Sequence, residues 1–347
     1  MGRILSLLPA GFLALMLISC SQPQKEIREK LYVFGTLVEI IIRDADEDAA
    51  RKALVDVNAA FQKMHRDWHA WKPGEMSRLN QAFAEGRTVK VSPFLLPLIK
   101  QAKGFEAASE GLFNPAIGAM VAAWGFHADE LPKGAPPPKA KIAALVKAQP
   151  SMSDVVIRGR EVSSTNASVS LDFGGFAKGA ALDQAAVILK AHGINNAILN
   201  AGGDLNVIGT HGDRPWRLGI RHPKNWGVLA SVELKPDEVL YTSGNYERFF
   251  EHEGVRYAHI LDPRSGWPVD HIVSASVIGK IGAAADAAAT ALTVAGPKDW
   301  HRIARRMGVK FALLVDDKGR IYLNPAMKAR IKLEGKETPE LVVSPGL

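Results

Sequence analysis

The chain has 347 residues, 47% hydrophobic and 23% charged, a globular composition with ample core that is long enough for one large or two small domains. A formal net charge of +7 mildly favours anionic partners such as phosphates or a membrane surface, but no lysine and arginine block is dense enough to argue for nucleic acid. Cys20 is the only cysteine, which excludes an intrachain disulfide and a cysteine metal cage.

The chain opens with "MGRILSLLPAGFLALMLISCS", a basic residue, an apolar run and then small residues, the shape of a secretory signal. The run is too short and interrupted for a membrane span. Its end, "LISC", resembles the bacterial lipobox, in which the cysteine becomes the lipidated first residue; an ordinary signal peptide with an incidental cysteine is the alternative. The expected division is a signal over 1–19, a polar tether over 20–30 and one large catalytic unit over 31–347.

"LYVFGTLVEIIIR" alternates like a strand, and apolar spacing over 46–68 is helical. Ser92-Pro93 starts a helix that stops at Gly111, and a short helix follows Pro115. Residues 131–141 read as a surface loop. Strands follow Ser153, interrupted by a helix from Ala177 to His192 that Gly193 closes. Further strands are expected at 196–201, 204–209, 216–221, 228–234, 239–243, 246–250, 255–261 and 271–279. An alanine-rich helix over 282–295 ends at Gly296-Pro297, a second covers 298–307, and a hairpin forms around "DDKG". Without strict strand–helix alternation, the expected fold class is α+β, with mainly antiparallel sheets and flanking helices.

Two segments could carry chemistry. In "LDFGGFAKGAALD" a strand ends at Asp172 and a helix starts at Ala177, with two glycines between them that let a backbone approach a ligand. A helix N-terminus and Lys178 suit a pyrophosphate, although the spacing fits neither the P-loop nor the dinucleotide pattern. A tight turn with an exposed lysine explains the same residues. In "AADAAATAL", Asp286 and Thr290 are four apart, so they share one helix face as hard oxygen ligands suited to Mg²⁺. Helix-dipole and helix-backbone roles are the bland alternative. "LNAGGDLNVIG" reads as a glycine turn holding Asn200 and Asp204. His259, mid-strand, could bind a ligand or orient a nucleophile, or be structural; core packing is the default for Trp71.

The order "FGT", "EMSRLN", "GLFNPAIGAMV", "WGF", "LDFGGFAKGAALD", "NAGGDL", "TSGNYERFF", "HILDPRSG" and "ADAAATAL" resembles the ApbE family, the FAD:protein FMN transferases of bacterial envelopes, over roughly residues 32–295. The resemblance implies Mg²⁺ held by the Gly175 carbonyl, Asp286 and Thr290. It places the flavin against Trp71, Leu112, Phe113, Asn114, Asp172, Lys178, His259 and Ile260, with Phe34 where the family usually has methionine. Asn114 stands in place of the usual aspartate. It implies transfer of FMN from FAD to a threonine or serine hydroxyl of a partner protein, with AMP released and His259 or a carboxylate, Asp286 among them, taking the proton. It further implies a chain anchored by lipid on Cys20 at the extracytoplasmic side of a bacterial membrane. An FAD pyrophosphatase and a non-catalytic FAD-binding lipoprotein are the rivals.

Overall fold

Strict alternation of apolar side chains builds a sheet that is buried on both faces. In "FALLVD", Ala312 and Leu314 join one core while Leu313 and Val315 join another. The computed structural model describes residues 26–335 and 339–347; Cys20 and the expected signal lie outside them. The elements run β1 (Glu26–Val33), β2 (Thr36–Arg43), α1 (Glu47–Asp67), α2 (Glu75–Ala84), β3 (Val89–Lys90), α3 (Leu96–Ala108), α4 (Gly118–Ala123) and α5 (Lys139–Lys147). Next come β4 (Val155–Arg158), β5 (Glu161–Ser164), α6 (Ala177–Ala191), β6 (Ala197–Ala201), β7 (Asp204–Ile208), β8 (Trp216–Arg221), β9 (Val228–Leu234) and β10 (Val239–Gly244). The rest are β11 (Phe249–His252), β12 (Val255–Ala258), β13 (Ile272–Gly279), α7 (Gly282–Arg306), β14 (Phe311–Asp316), β15 (Ile321–Leu323), α8 (Pro325–Lys328), β16 (Ile331–Leu333) and β17 (Leu341–Val343).

Nine strands form the main sheet in the order β1-β2-β6-β7-β10-β13-β14-β15-β17. Its pairs are antiparallel except β15 with β17. Helices α1, α6 and α7 cover one face, and α7 lies on β10 and β13. The small sheet β16-β9-β8 shares the second core with the other face. The α+β architecture expected from the sequence is therefore present.

Some boundaries differ from expectation. The tether does not reach residue 30, because Glu26 already pairs with Arg43 at the start of β1. The expected loop over 131–141 ends early, because Pro138 caps α5 and Lys139 is helical. The strand expected at 246–250 begins at Phe249 and pairs with β12. As expected, α7 is two helical stretches that meet at a break, where Gly296 takes φ 72° and non-helical backbone before Pro297.

Candidate active site

The N-termini of α6 and α7 meet, and their glycines make the meeting possible. A Cβ on Gly179 would lie 2.7 Å from the backbone nitrogen of Ala283 and collide with the Gly282 carbonyl. Asp183, in the second turn of α6, caps α7 by accepting from the N–H groups of Gly282 at 2.7 Å and Ala283 at 3.0 Å. In return Asp286 of α7 accepts from the Gly179 N–H of α6 at 3.1 Å. Each helix end thus receives a carboxylate from the other helix.

Asp286 is only 4% exposed. Burial pushes its carboxyl up to about 7, and nearby Asp204 adds to the rise while Lys178 opposes it. Thr290 lies one turn further on, its hydroxyl 3.0 Å from that of Ser243 at the end of β10. The glycine loop closes the third side. A Cβ on Gly175 would sit 3.5 Å from the Thr290 hydroxyl and 2.8 Å from the ring of Phe113, so only glycine fits there without a shift. Gly175 therefore lies beside Thr290, which stands one turn beyond Asp286 on α7.

Lys178 takes a different place from the open phosphate site expected of it. Its ammonium is paired with Asp204, whose other oxygen accepts from the Thr242 N–H at 3.1 Å. Burial alone would lower Lys178, but the carboxylates of Asp204, Asp286 and Glu247 outweigh it and hold the lysine charged. Asp204 does more than end a glycine turn: it joins β7, β10 and α6 beneath the site.

The glycine loop is itself clamped. Asn80 of α2 grips Leu171 by both amide atoms, accepting from its N–H at 2.7 Å and donating to its carbonyl at 2.9 Å. Asp172 accepts from the Gly174 N–H at 2.7 Å, and its second oxygen lies 2.7 Å from His127 Nε2. Burial alone would raise Asp172; these contacts outweigh it and hold the carboxylate below its ordinary range. His127 also stacks on Trp71, with ring centroids 4.6 Å apart and planes 17° apart. Trp71 is 36% exposed, in a bend where His69 Nδ1 accepts from the Lys72 N–H at 3.2 Å. Burial, with Lys72 and His65 adding to it, lowers His69 to about 4, so it stays neutral and can accept.

His259 Nδ1 is 3.1 Å from the Arg248 carbonyl, which can only accept, so that nitrogen carries the proton and Nε2 keeps its lone pair. Burial, with the charges of Arg248 and Lys178, lowers His259 to about 4. Other expected contacts act from behind. Leu112 and Ile260 are buried, and Phe113 is a core ring against Phe176 and Gly175. Asn114 spends both ends of its amide on Pro150 and Ala116. Phe34 takes φ 56° at a hairpin tip and packs on Phe61 and His65.

The ensemble offers hard oxygen ligands, a glycine loop at the start of α6, a partly exposed cation, an aromatic wall and a neutral imidazole. That set suits a phosphate group joined to a planar ring. Residues 34–313 match the ApbE family. A FAD:protein FMN transferase of Rhodobacter capsulatus is 50% identical over 310 residues, 89% of this chain and 59% of that protein, so the chain spans under two thirds of that relative's length. A second, from Vibrio cholerae, is 28% identical over 90% of this chain and 95% of its own. The crystal structure of the ApbE protein from Thermotoga maritima superposes with a TM-score of 0.80 at 29% identity, over 88% of this chain and 99% of that one. The chain belongs to the ApbE family, the enzyme family of the FAD:protein FMN transferases.

Proposed function

We propose that the chain transfers FMN from FAD to a threonine or serine hydroxyl of another protein and releases AMP, using Mg²⁺ at the pyrophosphate. One observation carries this reading: a buried carboxylate, a threonine hydroxyl and a glycine that admits no Cβ converge where two helix N-termini meet. Among the described residues no three His, Cys, Asp or Glu side chains converge as a metal cage. A hard cation held by one carboxylate, one hydroxyl and one carbonyl would take its other ligands from phosphate oxygens and water, as Mg²⁺ does. Asp286, raised to about 7 by burial, is a costly anion in the free fold and gains a counter-charge there. When bound, Mg²⁺ neutralises phosphate charge during the transfer.

The chain's own residues supply the rest. The glycine loop before α6, with Lys178, would take the phosphates, and Trp71 would offer the flavin a ring to lie against. The acceptor oxygen forms a bond to the FMN phosphorus, the bond from that phosphorus to the AMP oxygen breaks, and the hydroxyl proton moves to a base. His259, whose Nε2 has no hydrogen bond among the described residues, is the candidate for that role, as a base that burial weakens. Lipid on Cys20 would anchor the chain at the extracytoplasmic face of a membrane and bring it near membrane-bound acceptors.

The test mixes the protein with FAD, Mg²⁺ and a candidate acceptor. AMP together with a fluorescent acceptor on a denaturing gel supports transfer. AMP with free FMN makes the protein a pyrophosphatase, and absence of AMP makes it a binding protein.

A further inference from the structure

The resemblance assigns flavin contacts to Trp71 and Asp172 but gives no role to the residue that touches both. His127 follows "WGF" at the end of the short segment after α4. One face of its imidazole lies on Trp71, and its Nε2 lies 2.7 Å from the Asp172 carboxylate. Asp172 in turn holds the Gly174 N–H, the residue before Gly175. A ring contact and a polar bond of one side chain thus connect the aromatic wall to the glycine loop.

His69 also contacts the Trp71 ring and acts on Asp172 by charge alone, but among the described residues only His127 joins the two by a ring contact and a hydrogen bond. Trp71 otherwise meets His69, through their rings at 4.1 Å and its own N–H. The backbone of Asp172 is tied to Pro115, and Leu171 is tied to Asn80. Each wall has its own support, and His127 is the side chain that bonds to one and stacks on the other. It is almost enclosed, with 11% of its side chain exposed, so its ring has little freedom to turn away. A ligand with a flat ring at one end and a pyrophosphate at the other needs those two walls in fixed register.

We propose that His127 is a positioning residue that sets the flavin wall in register with the phosphate loop, its ring acting on flavin binding and its Nε2 acting on the loop that reacts. The proposal rests on the transferase reading of the site. It separates two roles within one side chain, and two substitutions divide them. Gln in place of histidine can still reach Asp172 with its amide but has no ring. Phe keeps the ring on Trp71 but has no donor for Asp172.

The experiment titrates FAD by flavin fluorescence and measures transfer rate at saturating FAD for the parent, H127Q and H127F. Circular dichroism checks that each is folded. H127Q is expected to weaken FAD binding by about tenfold, the upper end of what one aromatic contact contributes, while its rate at saturation stays within about threefold of the parent. H127F is expected to bind FAD within about threefold of the parent and to lose about ten- to a hundredfold in rate, the effect of removing a hydrogen bond from a carboxylate. This opposite split is the signature of a positioning role. Equal losses in both variants, or no change in either, would overturn it and leave His127 a packing residue. If one variant does not fold, the other decides by its own expected pattern. A parent that binds FAD but labels no acceptor defeats the transferase reading; the affinity difference between H127Q and H127F still judges the role of the ring.

Discussion

Asp286 carries the clearest consequence at the scale of single residues. Its carboxyl sits near 7 in the fold against an unfolded value near 4. Between those values the folded state holds a proton that the unfolded state has lost, so stability falls as pH rises from about 4 to about 7. The cost is at most about 4 kcal/mol. Asp286→Asn should erase that slope, making the metal-free protein more stable than the parent in urea at pH 8 and nearly equal to it at pH 4. His259 has the opposite sign. Its folded value near 4 lies below the unfolded 6.5, so its contribution is fully present above 6.5 and is lost as pH falls through 4. His259→Gln should therefore flatten the acid side of the stability curve by up to about 3 kcal/mol. Urea midpoints measured from pH 4 to pH 8 check both. An unchanged slope in either variant contradicts the charge state assigned to that residue.

At the scale of elements, the contact between α6 and α7 holds the site together. Gly179→Ala drives a methyl group into the Gly282 backbone, and neither helix can yield without moving Asp286. The substitution should cost more than about 2 kcal/mol, as overpacking against backbone does, and depress transfer further than the loss of fold explains. A normal urea midpoint would show that the helices separate easily. Some of this arrangement is legible in the sequence. The alanine run singles out Asp286 and Thr290 on one helix face, and the paired glycines before Ala177 mark a close backbone approach. Asp183, Asn80 and His127 are not legible, because each acts across the fold: 99 residues to Gly282, 91 to Leu171 and 45 to Asp172. Asp183 and Asn80 stand inside the quoted motifs, but only the folded chain shows that one caps a helix and the other clamps the segment before the glycine loop. Lys178 looks like an open phosphate contact from its place at a helix start. Its partner Asp204, in a separate glycine turn, could not be matched to it by spacing.

For the whole molecule, the folded unit begins earlier than its polar sequence suggests. "EIREK" alternates charge with partial burial along β1, so composition hides a strand whose register with β2 runs from Glu26 to Val33. A chain starting at residue 26 should melt with the full-length protein, whereas one starting at residue 34 should lose at least about 2 kcal/mol, since Val33 is buried and Ile27 and Leu31 pack on the core. Cys20→Ser should release the protein from the membrane fraction without altering transfer; continued membrane fractionation would remove the anchor from the account. The central claim is that Gly175, Asp286 and Thr290 hold Mg²⁺ at the FAD pyrophosphate. It is tested most directly by following AMP release with an acceptor present while Mg²⁺ is raised, in the parent and in folded Asp286→Asn. The account predicts a saturable Mg²⁺ dependence in the parent and a loss of at least about a hundredfold in the variant at the same Mg²⁺, only partly recovered at higher concentration. Equal rates and equal Mg²⁺ midpoints in the two proteins would contradict it.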